Sequence, residues 1–104
     1  MNLLNDSNFM EFVKNSNQPV LVDIFTQWCP PCKMLAPVIE KIACDYEDKI
    51  IVAKMDLDAN PIIGNKFGVE VIPTVILFKN GEVVDKFVGF KPETEIKKWL
   101  DRKV

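Results

Sequence analysis

Two unbroken β-prone runs separated by one long amphipathic segment restrict this chain more than any other feature. Val20 to Phe25 and Ile50 to Met55 are rich in apolar residues and lack regular polar alternation, as expected of strands covered on both faces. Between them, from Pro31 to about residue 48, Leu35, Ile39, Ile42 and Tyr46 recur along one side of a helix, and Pro37 inside it predicts a kink. A strand, a helix and a second strand in that order form a right-handed crossover with parallel pairing. The sheet is therefore at least partly parallel.

The flanking segments add helices and a hairpin. Asn8 with Glu11 three residues on reads as a capping box, and Phe9, Phe12 and Val13 continue at helical spacing, which predicts a helix over about 8–15. Asn60-Pro61 reads as an N-cap followed by a first-turn proline, starting a short helix to about Phe67. Thr74 to Phe78 and Val83 to Val88 flank Asn80-Gly81, a strong hairpin signal. Pro92 opens a last helix that turns Ile96, Trp99 and Leu100 inward, with Arg102 and Lys103 near its C-terminus. The order read is βαβ, a short helix, then ββα. No linker or repeat interrupts residues 1–104, so one α/β domain is expected.

Charge and residue usage narrow the function. Thirteen Lys+Arg against fifteen Asp+Glu give a formal charge of −2, so there is no basic field to collect phosphates and nucleic acid is not an expected partner. The longest apolar runs fall far short of the roughly 20 residues that a membrane-spanning helix needs. Met1 to Met10 carries no cationic start and no apolar stretch of secretory type, so a cytoplasmic protein is expected; the chain suggests a monomer, and nothing in it forbids a dimer. With no histidine, acid–base chemistry falls to carboxylates, lysines or thiols. Three cysteines, two of them close together, suggest a redox or metal pair and a spare.

The chemistry concentrates in Trp28-Cys29-Pro30-Pro31-Cys32-Lys33, where the first buried strand gives way to the long helix. With Cys29 near the N-cap and Pro30 and Pro31 in the first turn, the Cys29 sulfur faces the Cys32 N–H and the positive end of the helix, which favours a thiolate. An ordinary thiol with a pKa of about 8.5 is only ~3% ionised at pH 7, so even a modest depression raises the attacking species several-fold. Cys29 is read as the nucleophile and Cys32 as the resolving thiol of a dithiol–disulfide cycle. The competing readings are half of a zinc site and a structural disulfide. Zinc lacks ligands, since histidine is absent and Cys44 is the only other thiol. A structural bridge over so short a loop adds little stability.

Taken together, Val22-Asp23, Trp28-Cys29, Pro31-Cys32-Lys33-Met34, Ala36-Pro37, Val52-Ala53-Lys54, Ile72-Pro73-Thr74, Phe78-Lys79-Asn80-Gly81 and Val88-Gly89 make the chain resemble the thioredoxin family over nearly its whole length. The resemblance implies the thioredoxin fold, a central mixed five-stranded sheet with helices on both faces, and the activity of a general protein disulfide reductase. No bound cofactor or metal is implied; electrons would come from NADPH through thioredoxin reductase. Implied substrates are disulfide proteins such as peroxiredoxins, ribonucleotide reductase or methionine sulfoxide reductases. By the same resemblance, Asp23 helps remove the Cys32 proton, directly or through water, and Lys54 is its electrostatic partner. Pro73 follows a cis bond against Cys29. Trp28, Pro30, Pro31, Val71, Ile72, Pro73 and Gly89, with Phe90, form an apolar substrate surface around an exposed Cys29 sulfur.

The residues alone support part of this. A carboxylate inside an apolar strand loses hydration and has its pKa raised, which poises Asp23 as a base near neutrality. The alternative is an edge-strand aspartate facing solvent or capping a turn, and for Lys54 a solvated strand lysine. Departures from the family pattern mark where it gives no guidance. Pro30 replaces the usual glycine and deletes one N–H, while Phe25 replaces a frequent tryptophan, Val71 a frequent glycine, and Glu70 adds a negative charge beside the binding surface. Cys44 falls off the buried stripe and is expected to be an exposed, non-catalytic thiol. Two other functions stay open: the same fold acting as oxidant or isomerase, and a binding module without turnover.

Overall fold

The computed structural model describes residues 1–104. Its elements are β1 (Asn2–Leu3), α1 (Phe9–Asn15), β2 (Val20–Phe25), α2 (Pro30–Asp45), β3 (Ile51–Asp56), α3 (Pro61–Lys66), β4 (Thr74–Lys79), β5 (Glu82–Val88) and α4 (Glu93–Asp101). The sheet order is β1-β3-β2-β4-β5; β1, β3 and β2 run parallel, while β4 is antiparallel to both β2 and β5. The continuous apolar run of β2 is thus the central strand. The hairpin forms where Asn80-Gly81 predicts it, with φ of 54° and 82° at those two residues, the left-handed pair that a two-residue turn of matching twist requires.

Strand alternation builds two cores. Leu21, Val52, Val75, Leu77 and Phe87 pack on one face against Leu35, Ile39 and Ile42 of α2 and Ile96, Trp99 and Leu100 of α4. Val20, Val22, Ile24, Ala53, Met55, Ile76 and Phe78 pack on the other against Phe9 and Val13 of α1 and Ile63 of α3. This is the mixed five-stranded thioredoxin fold with helices on both faces. No helix is long and apolar enough to cross a membrane.

Local signals misplaced some details. The strand at Asn2–Leu3 escapes sequence reading because two exposed residues carry no pattern. Helix α2 ends at Asp45 rather than near 48, because Tyr46 is pinned by its hydroxyl, which donates to Asp101 Oδ1 at 2.6 Å. The Tyr46 carbonyl then accepts from the N–H groups of Lys49 and Ile50, which turns the chain into β3. The Asn8 capping box does not form: Asn8 Oδ1 turns back to accept from the Asn5 N–H at 2.8 Å.

Asn60 holds the N-cap position of α3, but its side chain does not cap the helix. It accepts from the Asp6 N–H at 2.9 Å and donates to the Asp56 carbonyl at 3.1 Å. The cap comes from Asp6, whose two carboxylate oxygens accept from the N–H groups of Ile62 and Ile63 at 3.2 and 2.9 Å. Asp6→Ala is therefore expected to lower stability by about 1 kcal/mol, the usual cost of a lost N-cap. A urea titration should show a lower midpoint at unchanged slope, with part of the loss restored by Asp6→Asn; an unmoved midpoint excludes the capping role.

Candidate active site

The first turn of α2 carries the sulfurs. Cys29 is the N-cap, Pro30 and Pro31 occupy the positions where a missing N–H costs nothing, and the Cys32 N–H donates to Cys29 Sγ at 3.2 Å. The two sulfurs form a disulfide across Cα atoms 5.2 Å apart. Cys29 Sγ also lies 3.9 Å from the Ile72 carbonyl oxygen, a contact that becomes a hydrogen bond only when the sulfur carries a proton. The sulfur pair is less accessible than expected: Cys29 and Cys32 are each only 3% exposed, so burial does not tell attacker from resolver. What distinguishes the two is the helix N–H aimed at Cys29 alone.

Asp23 belongs to the central strand, not an edge. It pairs with Lys54 of β3 on one side and Val75 of β4 on the other, and is 4% exposed. Alternation along β2 puts Asp23 on the face covered by α2, the helix that carries the sulfurs. Asp23, Lys54 and Cys32 line one pocket of about 230 Å³. Burial pushes the Asp23 carboxyl up from 3.8 to about 6, against the opposing pull of the Lys54 ammonium.

That shift makes stability depend on pH with a definite sign. Between pH 4 and 6 the folded chain holds a proton that the unfolded chain has released, so stability falls as pH rises through this window and stays lowered above it. The full difference corresponds to about 3 kcal/mol. Asp23→Asn carries no charge and should be more stable than the parent by about 2–3 kcal/mol at pH 8, with the gap closing towards pH 4. Denaturant midpoints of the disulfide forms at the two pH values test this; a gap that is constant with pH rejects it.

Around the sulfurs, Trp28 and Val71 are 65% and 56% exposed, and Pro30, Pro31 and Phe90 are also exposed. Ile72 is half-buried and Pro73 buried, joined by a cis peptide bond. Gly89 has a φ of +85°, which a side chain would strain, and its N–H donates to the Pro73 carbonyl at 2.8 Å. The structure thus brings the expected surface residues to one end of the molecule, beside the start of α2. Cys44 is exposed near the C-terminal end of α2, the end opposite the one that carries the sulfur pair. No cluster of three or more His, Cys, Asp or Glu side chains is placed to hold a metal ion.

Two residues of the site were not anticipated. Asp58 accepts from Trp28 Nε1 at 2.7 Å and so fixes the indole, a partnership across 30 residues that no local pattern signals. Thr26 is buried and lines the pocket with Asp23 and Cys32; its place two residues before Trp28 was the only hint.

A family model described as Thioredoxin matches residues 1–102. The thioredoxin of Rickettsia bellii is 46% identical over 99 residues, covering 95% of this chain and 94% of the relative. That of Staphylococcus haemolyticus is 48% identical over 97 residues, covering 93% and 91%, and thioredoxin 1 of Nostoc sp. is 44% identical over 97 residues, covering 93% and 91%. With a sulfur pair on a helix start, beneath which a buried carboxylate lies, and with this match over nearly all its residues, the chain belongs to the thioredoxin family of thiol–disulfide oxidoreductases, the protein disulfide reductases.

Proposed function

We propose that Cys29 is the nucleophile and Cys32 the resolving thiol of a reductase cycle, and that the 104 residues work as one domain. The observation that carries this is the Cys32 N–H aimed at Cys29 Sγ from the first turn of α2. As a thiolate, Cys29 attacks one sulfur of a substrate disulfide; a mixed disulfide forms, and the other substrate sulfur leaves with the electron pair and takes up a proton. Asp23 then accepts the Cys32 proton, and the Cys32 sulfur attacks Cys29 Sγ. The mixed disulfide breaks, the second substrate thiolate departs, and the Cys29–Cys32 bond closes. Two electrons have passed from the dithiol to the substrate.

Lys54 acts on this step through the Asp23 charge. Trp28, Pro30, Pro31, Val71, Ile72, Pro73 and Gly89 form the surface that meets the substrate. The Ile72 carbonyl beside Cys29 and the apolar rim suit an extended segment laid across the sulfur. The family works with thioredoxin reductase and disulfide substrates. For this chain the electron source is NADPH through that reductase. Its substrates are of the peroxiredoxin, ribonucleotide reductase or methionine sulfoxide reductase kind, met in the cytoplasm by a monomer.

Reduction of insulin disulfides tests the reading. Precipitation of the insulin B chain should accelerate in proportion to added protein, with NADPH and a thioredoxin reductase as electron source. Unchanged insulin at a dose equal to that of a known thioredoxin overturns it. Equilibration with glutathione separates the reductase from an oxidant, which would hold its pair mostly reduced.

A further inference from the structure

In the whole molecule two buried side-chain oxygens have no hydrogen-bond partner, Asp23 Oδ1 and Thr26 Oγ1. Both residues line the same pocket, together with Cys32, Lys33 and Lys54. Native proteins rarely leave such atoms unpaired, and because both residues border the same pocket, one water between them would satisfy both. Thr26 is only 2% exposed. Strict strand alternation would send it to the opposite face with Ile24. The strand ends at Phe25, however, and Thr26 stays on the pocket wall.

The pocket, of about 230 Å³, holds more than the roughly 30 Å³ share of one water, and a bound water needs two to four polar partners. Asp23, Thr26, Lys54 and the Cys32 sulfur supply that number. A threonine hydroxyl both donates and accepts, so it can hold a water in either orientation as a proton passes. The charged and titratable groups that face this place are Asp23 from β2, Lys54 from β3, and Cys32 and Lys33 from α2. Asp56, two residues along β3 from Lys54, is held by Gln27 Nε2 at 3.4 Å.

We propose that Thr26 is a positioning residue: its hydroxyl holds the water through which the Cys32 proton reaches Asp23 during resolution of the mixed disulfide. The inference rests on the reading of Asp23 as the proton acceptor. The bonds and electrons are those of the cycle above; Thr26 changes only the route of the proton, from Cys32 Sγ to the water and from the water to the Asp23 carboxylate.

Reaction of the reduced protein with 5,5′-dithiobis(2-nitrobenzoate), in a Cys44→Ser background so that the exposed third thiol releases nothing, isolates the step. A first thionitrobenzoate is released when Cys29 attacks and a second when Cys32 resolves. Thr26→Val should lower the ratio of second-phase to first-phase rate about tenfold between pH 6 and 7.5, a fraction of what a whole general base contributes. The difference should shrink as the pH rises and hydroxide takes the proton directly, and Thr26→Ser should restore the parent profile. In the Asp23→Asn background, Thr26→Val should add almost nothing.

A Thr26→Val profile that superposes on the parent, while Asp23→Asn slows the second phase, removes Thr26 and leaves Asp23 standing. If Asp23→Asn also matches the parent, the underlying reading fails, and this one with it. Equal slowing by Thr26→Val and Thr26→Ser marks a packing role and overturns the proposal. Should the valine variant not fold, Thr26→Ala removes the same hydroxyl and reads the same phase.

Discussion

Cys29→Ser should reduce insulin no faster than buffer, a loss of at least about 10³-fold, whereas Cys32→Ser should attack once and stop. A serine hydroxyl at neutral pH has almost no anionic form, and the one N–H that reaches Sγ cannot make up that difference in acidity. Cys32→Ser leaves this cap in place, because the donor is the backbone N–H of residue 32 and not its sulfur. The attack on the substrate then proceeds, but no second sulfur lies across the first helical turn to close the cycle. Mass spectrometry should find the Cys32→Ser protein joined to one substrate molecule through Cys29, and the Cys29→Ser protein unmodified at Cys32. Trapping through Cys32 instead would reverse the two roles.

The largest stability loss should come from Phe78→Ala, at about 3–5 kcal/mol. Phe78 is fully buried, and its ring meets Phe9 of α1 at 5.5 Å and Phe67, just beyond α3, at 5.2 Å, both edge to face. Phe9 and Phe67 close the triangle at 5.7 Å. Removing Phe78 opens a cavity between the sheet, α1 and the end of α3, in the middle of the cluster that joins them. For a domain of this size the melting temperature should fall by roughly 15–30 °C. The effect should be confined to stability. Phe78 pairs with Val20 at the end of β2 remote from the sulfurs, so below its melting temperature the variant should reduce insulin as the parent does. A shift below 5 °C would mean that the three rings are not the keystone of this core.

Asp23 shows how sequence and structure divide the work at the site. A carboxylate within Val20–Phe25 stands out in the sequence, and alternation assigns it to one face of the sheet. Whether that face is solvent or core depends on β4 pairing alongside β2 and on α2 lying across it, contacts between residues far apart in the chain. The same limit explains Asn60. Its position as the cap residue of α3 was legible, but the carboxylate that does the capping arrives from Asp6. Asp58 beneath Trp28 is a third instance of the kind.

The sequence by itself determined the spacing of the sulfurs, the proline-bearing helix start that turns an N–H toward Cys29, the hairpin at Asn80-Gly81 and the alternation that sorts β2 into two faces. All of these depend on torsions and neighbours within a few residues, which composition and order dictate directly. Only the tertiary structure decided that Asp23 is desolvated beside Lys54, that Thr26 shares a pocket with Cys32, and that both sulfurs are covered. Desolvation and through-space charge are set by whatever fills the surrounding few ångströms, and here those neighbours come from β3, β4 and α2, elements that chain order lists but does not place.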